Sequence, residues 1–253
     1  MTGWLGLWTT SVGLGVRHLV RRGWLREAAI RVVIPLDPSR YLELPWALGR
    51  LDARAGERVL DLASPKLLAV YLTRHRIEVT SVDAFPEEIE RWRRLAPETT
   101  FEVADGRALP FPDDSFDHAY SISVLEHVDG AEAALAELAR VVRPGGRVVL
   151  TLPYAQEAWD EWRDRPLYGE GDRPALFQRW YDHDRVDALL AAVPSLALVE
   201  RSVARLAPNW NELYTRFFPW LLPLGPVYGL LAREVEGEGG DVIRLCLRRR
   251  LRS

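Results

Sequence analysis

Three aspartates and one histidine are the groups in this chain best suited to chemistry. Asp61 sits one residue from the end of the apolar run Arg58-Val-Leu-Asp-Leu62, Asp83 closes Val79-Thr-Ser-Val-Asp83, and Asp105 lies in Val103-Ala-Asp-Gly106. Carboxylates at the carboxyl ends of buried strands face the crevice where open parallel sheets bind their ligands. Asp83 follows Asp61 at the roughly 20-residue spacing that places an acid on ribose hydroxyls, although an acid there also serves as a plain helix cap. His127, preceded by Glu126, changes charge near neutral pH and is suited to general base work; the other reading is that it packs under the turn that follows.

To bring these groups to one edge, the chain must alternate strands with helices. The pattern predicts strands over 58–62, 78–82, 100–103, 118–122 and 146–152, with helices over 67–74, 86–95 and 131–142 between them. Helix-length spacers between buried strands require right-handed crossovers and a parallel sheet, so the fold class is α/β and doubly wound. Arg143-Pro-Gly-Gly146 supplies a helix stop and a tight turn. Ahead of the sheet, Gly3 to about Ile34 reads as a basic amphipathic helix, and Pro35 and Pro38 separate it from a second helix over 44–51. Residues 1–52 thus form an N-terminal helical cap. Residues 53–253 form the sheet domain, with cap insertions at about 154–181 and 206–236. Asp182 or Asp184 caps a helix running to Ala192, and strands near 196–205 and 241–249 follow.

Leu109-Pro-Phe-Pro-Asp-Asp-Ser-Phe-Asp117, Ser121-Ile-Ser-Val-Leu-Glu-His-Val128 and the stretch from Arg140 to Leu150 complete the series. Together with the three acidic strand ends, they resemble the class I S-adenosylmethionine-dependent methyltransferases of the type 11 kind, from near Arg58 to near Pro153. The resemblance implies a mostly parallel, seven-stranded Rossmann-like sheet with helices on both faces, its last two strands antiparallel, and S-adenosyl-L-methionine as cofactor. It places Asp61 under the methionine portion and Asp83 with Ala84 at the ribose. Phe85 either stacks on adenine or packs in the core. Asp105 accepts from the adenine amino group, and the Gly106 N–H meets the ring. Ser121 and Ile122 give backbone contacts to the methionine end. Glu126 and His127 then stand at the cleft mouth beside the methyl acceptor, with His127 the first candidate base and Glu126 and Tyr154 behind it.

One motif of the family is altered. Its Gly-x-Gly-x-Gly loop falls on Ala63, Pro65 and Leu67, and proline cannot adopt positive φ while leucine does so at a cost. In one reading Pro65 opens the next helix, Ser64 caps it, and the free N–H groups with Lys66 hold the cofactor's carboxylate. In the other, the site no longer binds cofactor. Lys66 is notable as the only lysine in a chain whose other basic residues are arginines.

Composition narrows the partners. A formal net charge of −3 leaves no broad basic footprint, which argues against nucleic acid. Cys246 is the sole cysteine, so no disulfide framework or cysteine metal site is expected, in keeping with a cytoplasmic location. His183, between Asp182 and Asp184, lacks a second histidine at ligand spacing, and no metal is expected. The apolar start Trp4-Leu-Gly-Leu-Trp8 precedes its arginines and does not read as a secretory signal.

The acceptor is read from the additions. Tyr154, Trp159, Trp162, Tyr168, Phe177, Trp180 and Tyr181 follow the fifth strand, and Trp210, Tyr214, Phe217, Phe218 and Trp220 follow the sixth. An aromatic cover suits a small apolar or ring-bearing acceptor, or else these residues pack the cap onto the sheet. Two other readings stay open. One is a methyltransferase-like binding or scaffold protein without catalysis. The other is a peripheral membrane enzyme acting on a lipid or quinone, anchored by the basic helix and the Phe217 to Leu231 segment.

Overall fold

Strand β1 (Arg58–Leu62) buries four of its five residues, so it must be covered on both faces and paired on both edges. It pairs in parallel with β2 (Glu78–Asp83) on one edge, and β2 in turn pairs with β3 (Thr100–Val103). On its other edge lies β4 (Phe116–Ile122), followed by β5 (Val142–Pro153), again in parallel. The chain therefore leaves β1 in one direction and returns to fill the other side. That reversal between β1 and β4 opens a crevice at the carboxyl ends of the strands. The computed structural model describes residues 3–20, 31, 36, 40–164, 175–207, 233–237 and 239–251.

Alternation along the strands divides the core into two layers. Val59, Val79, Phe101, Tyr120 and Val149 face α1 (Gly3–Val20), α2 (Arg40–Leu51), α3 (Leu67–Arg74) and α4 (Pro86–Leu95). Leu60, Val82, Ala119, Leu150 and Leu245 face α5 (Ala131–Val141) and α6 (His183–Ala191). The N-terminal helices share the first layer, where Leu7, Leu14 and Leu44 are fully buried. Each such leucine contributes about 1.5–3 kcal/mol. Gly6 lets α1 approach α3 closely, since a Cβ there would lie 2.8 Å from the Tyr71 ring.

After β5 the chain forms a separate antiparallel hairpin, β6 (Trp159–Arg163) and β7 (Ala175–Trp180). Asp182 caps α6 by accepting from the Arg185 amide at 2.8 Å, which settles the choice between Asp182 and Asp184. Strands β8 (Leu196–Ala207), β9 (Arg233–Glu236) and β10 (Val242–Arg249) finish the main sheet, whose order is β3-β2-β1-β4-β5-β10-β8-β9.

Three expectations change, and others lie outside the described residues. The sheet has eight strands rather than seven, because the end of β8 runs on far enough to pair with β9. β5 starts at Val142 instead of Gly146, with a register shift against β4 absorbing the Pro-Gly-Gly turn. α2 starts at Arg40, where buried Tyr41, Leu42 and Glu43 secure its first turn, and Pro45 lies inside it. α1 is described to Val20; the rest of the expected basic helix lies outside the described residues, as do Tyr168, the aromatic group from Trp210 to Trp220 and the Phe217 to Leu231 segment.

Candidate active site

The strand ends and the segments after them enclose a cavity of about 1230 Å³. That exceeds the ~300–1,000 Å³ of a typical single-ligand site and leaves room for two reactants. Leu62 to Leu67 line it after β1, Asp83 to Phe85 after β2, and Ala104 to Arg107 after β3. Ser123, Val124 and His127 to Asp129 line it after β4, Arg40 and Leu44 from α2, and Leu176 and Phe177 from β7. Nine residues expected from the sequence meet here: Ala63, Ser64, Lys66, Asp83, Ala84, Phe85, Asp105, Gly106 and His127. Asp61, Ser121, Ile122 and Glu126 lie behind the wall.

The loop after β1 turns without glycine. Ala63 has φ 53°, so an alanine holds the left-handed conformation at the first glycine position, costing about 1–2 kcal/mol. Its amide donates to the Val82 carbonyl at 2.8 Å. Ser64 does not cap α3. Its hydroxyl accepts from the Ile122 amide at 2.9 Å, its own amide donates to Asp61 Oδ1 at 3.1 Å, and the N-cap position falls to Lys66. This engagement also removes Ile122 N–H from ligand contact. Ser121 donates its hydroxyl to the Leu62 carbonyl at 3.2 Å, and Ser123 and Val124 line the cavity in place of Ser121 and Ile122.

Lys66 is 4% exposed. Its ammonium lies 3.1 Å from Asp83 Oδ2 and 3.9 Å from Asp61 Oδ2, and donates to the Val82 carbonyl at 3.3 Å. A buried cation is drawn to buried carboxylates, and the expected grip on a ligand carboxylate would compete with these contacts. Asp61 also accepts from Ser81 Oγ at 2.6 Å; burial pushes its carboxyl up, against the pull of Lys66, Ser81 and Ser64.

Asp83 accepts the Phe85 amide on Oδ1 at 3.2 Å, so it fixes the turn that presents Phe85. Phe85 is 37% exposed and lines the cavity, which removes the core-packing alternative. Arg107 clasps Asp105 through its backbone N–H, Nε and Nη2 at 2.9, 3.0 and 2.7 Å and holds that carboxyl down at about 2. Gly106 packs closely on Leu62: a Cβ there would lie 2.8 Å from Leu62 Cδ1, and that side chain would have to shift.

His127 ends a single 3₁₀ turn, Leu125–His127. Its Nδ1 donates to the Phe177 carbonyl, so in the neutral ring Nε2 is the basic nitrogen. Burial pushes His127 below the ordinary histidine value, and the charge of Arg40 acts in the same direction. Glu126 Oε1 lies 3.8 Å from Nε2. Burial lifts Glu126 to about 8, and its Oε2 has no hydrogen-bond partner among the described residues. At neutral pH the contact therefore joins two uncharged groups, with the carboxyl behind the histidine rather than in the cavity. Tyr154 is buried against Tyr181, and neither it nor His183 lines the cavity.

Sequence reasoning missed Arg40 and Glu43. Glu43 is buried, and accepts from Thr151 Oγ1 at 2.7 Å, from Arg40 at 2.5 Å and from Ser123. An acid inside the apolar run Tyr41-Leu-Glu-Leu44 was the one available signal. Among the described residues, no group of three or more His, Cys, Asp or Glu side chains is arranged to hold a metal, and no helix is long and apolar enough to cross a membrane.

Residues 60–150 match the family described as a methyltransferase domain. A phosphatidylethanolamine N-methyltransferase from Cereibacter sphaeroides is 34% identical over 176 residues, covering 66% of this chain and 82% of the relative. A demethylmenaquinone methyltransferase from Beutenbergia cavernae is 42% identical over 124 residues, covering 48% and 50%. The chain spans about half the length of several curated relatives it matches, 41% to 60% for four of them. The solved S-adenosylmethionine-dependent methyltransferase from Mesorhizobium loti superposes with a TM-score of 0.54 at 18% identity, over 81% of this chain and 96% of that one.

Proposed function

This chain belongs to the class I S-adenosylmethionine-dependent methyltransferases, and from that membership we propose that it methylates a small apolar or aromatic molecule in the cytoplasm, with His127 as base and residues 1–52 as a cap. The donor set around the cavity fits the cofactor. Asp83 and Asp105 offer acceptors for hydroxyl and amino groups, and Phe85, Leu62 and Ala104 offer apolar surface for a ring. The left-handed turn at Ala63 keeps the backbone shape of the missing glycine.

The bound sulfonium would supply an electrophilic methyl group, transferred by in-line displacement. Everything else falls to this chain's side chains. His127 is held neutral by burial, and the Phe177 carbonyl fixes the proton on Nδ1, leaving Nε2 to take the proton of an acceptor hydroxyl. Arg40 brings positive charge toward the same spot and favours the oxyanion that results. Leu44, Leu176 and Phe177 exclude water from it.

The observation that carries this reading is the fixed tautomer of His127 on the cavity that also holds the acidic strand ends. Calorimetric titration with S-adenosylhomocysteine, followed by labelled-methyl transfer to a panel of phenols and amines, tests it. Micromolar binding is expected, with transfer to phenols that rises with pH through an inflection on the acid side of an ordinary histidine. No binding would put the scaffold reading first.

A lipid or quinone acceptor met at a membrane surface is a second reading. The names of the two relatives support it, as do Trp159 and Trp162 on the β6–β7 hairpin, exposed by 47% and 62%. Co-sedimentation with anionic liposomes, lost in Trp162→Ala, separates it from the first.

A further inference from the structure

Lys66 stands where the family's loop would bring bare backbone to the cofactor, and it is the one position at which this arginine-rich chain uses lysine. The surroundings account for the choice. An ammonium has three donors on a compact charge, whereas a guanidinium is a planar fork. Three acceptors surround Nζ: Asp83 Oδ2 at 3.1 Å, the Val82 carbonyl at 3.3 Å and Asp61 Oδ2 at 3.9 Å. All three belong to β1 and β2.

The effect on Asp83 is specific. Its carboxylate has about four acceptor sites. The Phe85 amide takes one on Oδ1, and the Lys66 ammonium draws Oδ2 to itself as an ion pair at 3.1 Å. Both oxygens are thereby fixed in direction at the cavity wall, each with capacity left for one more donor. A ribose diol presents two donors.

We propose that Lys66 is a positioning residue that replaces the glycine-rich loop by charge: it holds Asp83 oriented for a ribose diol and makes no contact with the amino-acid end of the cofactor. The proposal rests on the cofactor reading given above. It differs from a carboxylate-gripping lysine in which part of the ligand feels its loss.

Two ligands that share the nucleoside separate the possibilities. S-adenosylhomocysteine carries the amino-acid tail, and 5′-methylthioadenosine lacks it. With Lys66→Met, calorimetry is expected to show both weakened by the same factor, on the order of tenfold. Loss for S-adenosylhomocysteine alone would mean that Lys66 grips the tail, and unchanged affinity for both would mean that Asp83 needs no support; either result overturns the proposal.

Uncovering buried carboxylates can unfold the single variant, so the pair Asp83→Asn and Asp83→Asn/Lys66→Met is measured as well, by ligand-observed NMR that reads millimolar affinities. In that background Lys66→Met is expected to change neither affinity by more than about twofold. A further loss confined to S-adenosylhomocysteine overturns the proposal there too. Wild-type protein that binds neither ligand sinks the cofactor reading together with this one.

Discussion

The two walls of the cavity are built by opposite means. On the strand-end wall each aspartate takes one contact from its own turn, Asp61 from Ser64, Asp83 from Phe85 and Asp105 from Arg107 across three, two and two residues, and Ser64 and Ser81 tie neighbouring strands to that frame. On the facing wall the contacts are distant: Glu43 meets Thr151 across 108 residues, His127 meets Phe177 across 50, and Arg179 meets the Val128 carbonyl across 51. A site for a ligand shared by a whole family can be written in short pieces, each folding with its own turn. A site for a ligand particular to one member is assembled from whatever the additions bring across. On the proposed function, the nucleoside side is generic in design and the acceptor side specific to this chain.

The largest expected effect tests that division. His127→Ala should lower turnover by about 10²- to 10⁴-fold while leaving the S-adenosylhomocysteine affinity unchanged by calorimetry. An equal loss of binding would mean that the two walls are not separate. Next, Glu43→Ala removes the shared acceptor of Arg40, Ser123 and Thr151. It should cost about 2–4 kcal/mol in urea unfolding and raise the acceptor KM more than the cofactor Kd.

A smaller effect concerns Glu126. Its carboxyl keeps its proton to about 8 in the fold, from an ordinary value of 4.5. The unfolded chain therefore binds fewer protons than the native one across that window, and stability must fall as pH rises through it. Glu126→Gln should flatten this slope and stabilise the protein by about 1–2 kcal/mol at pH 7, read as Tm against pH. The smallest effect belongs to the local wall: Ala63→Gly relieves a left-handed alanine and should stabilise by no more than about 1 kcal/mol.

The same contrast governs what was legible in the sequence. Runs 58–62, 67–74, 86–95 and 100–103 have the structure's own boundaries, because apolar periodicity and proline starts act within a few residues. β9 escaped notice: Arg233-Glu-Val-Glu236 is exposed throughout and becomes a strand only by pairing with β8. Lys66 was legible as unusual but not in its partners, since Asp83 lies one strand away. Local chemistry points to Ser64 as a cap, and a tertiary acceptor role toward the Ile122 amide prevails. Arg40 and Glu43 lie in the first turn of a helix that the sequence pattern starts four residues later, so neither belongs to the expected site.

The bond between Glu43 and Thr151 also sets a schedule. The helices ahead of the sheet are made before it, yet the hydroxyl that donates to Glu43 is made 108 residues later, roughly 5 to 20 s at ordinary elongation rates. Throughout that interval Leu7, Leu14 and Leu44 have no completed sheet to rest on, and an acid destined for burial remains in water. Burial of that acid is thus deferred until β5 is made.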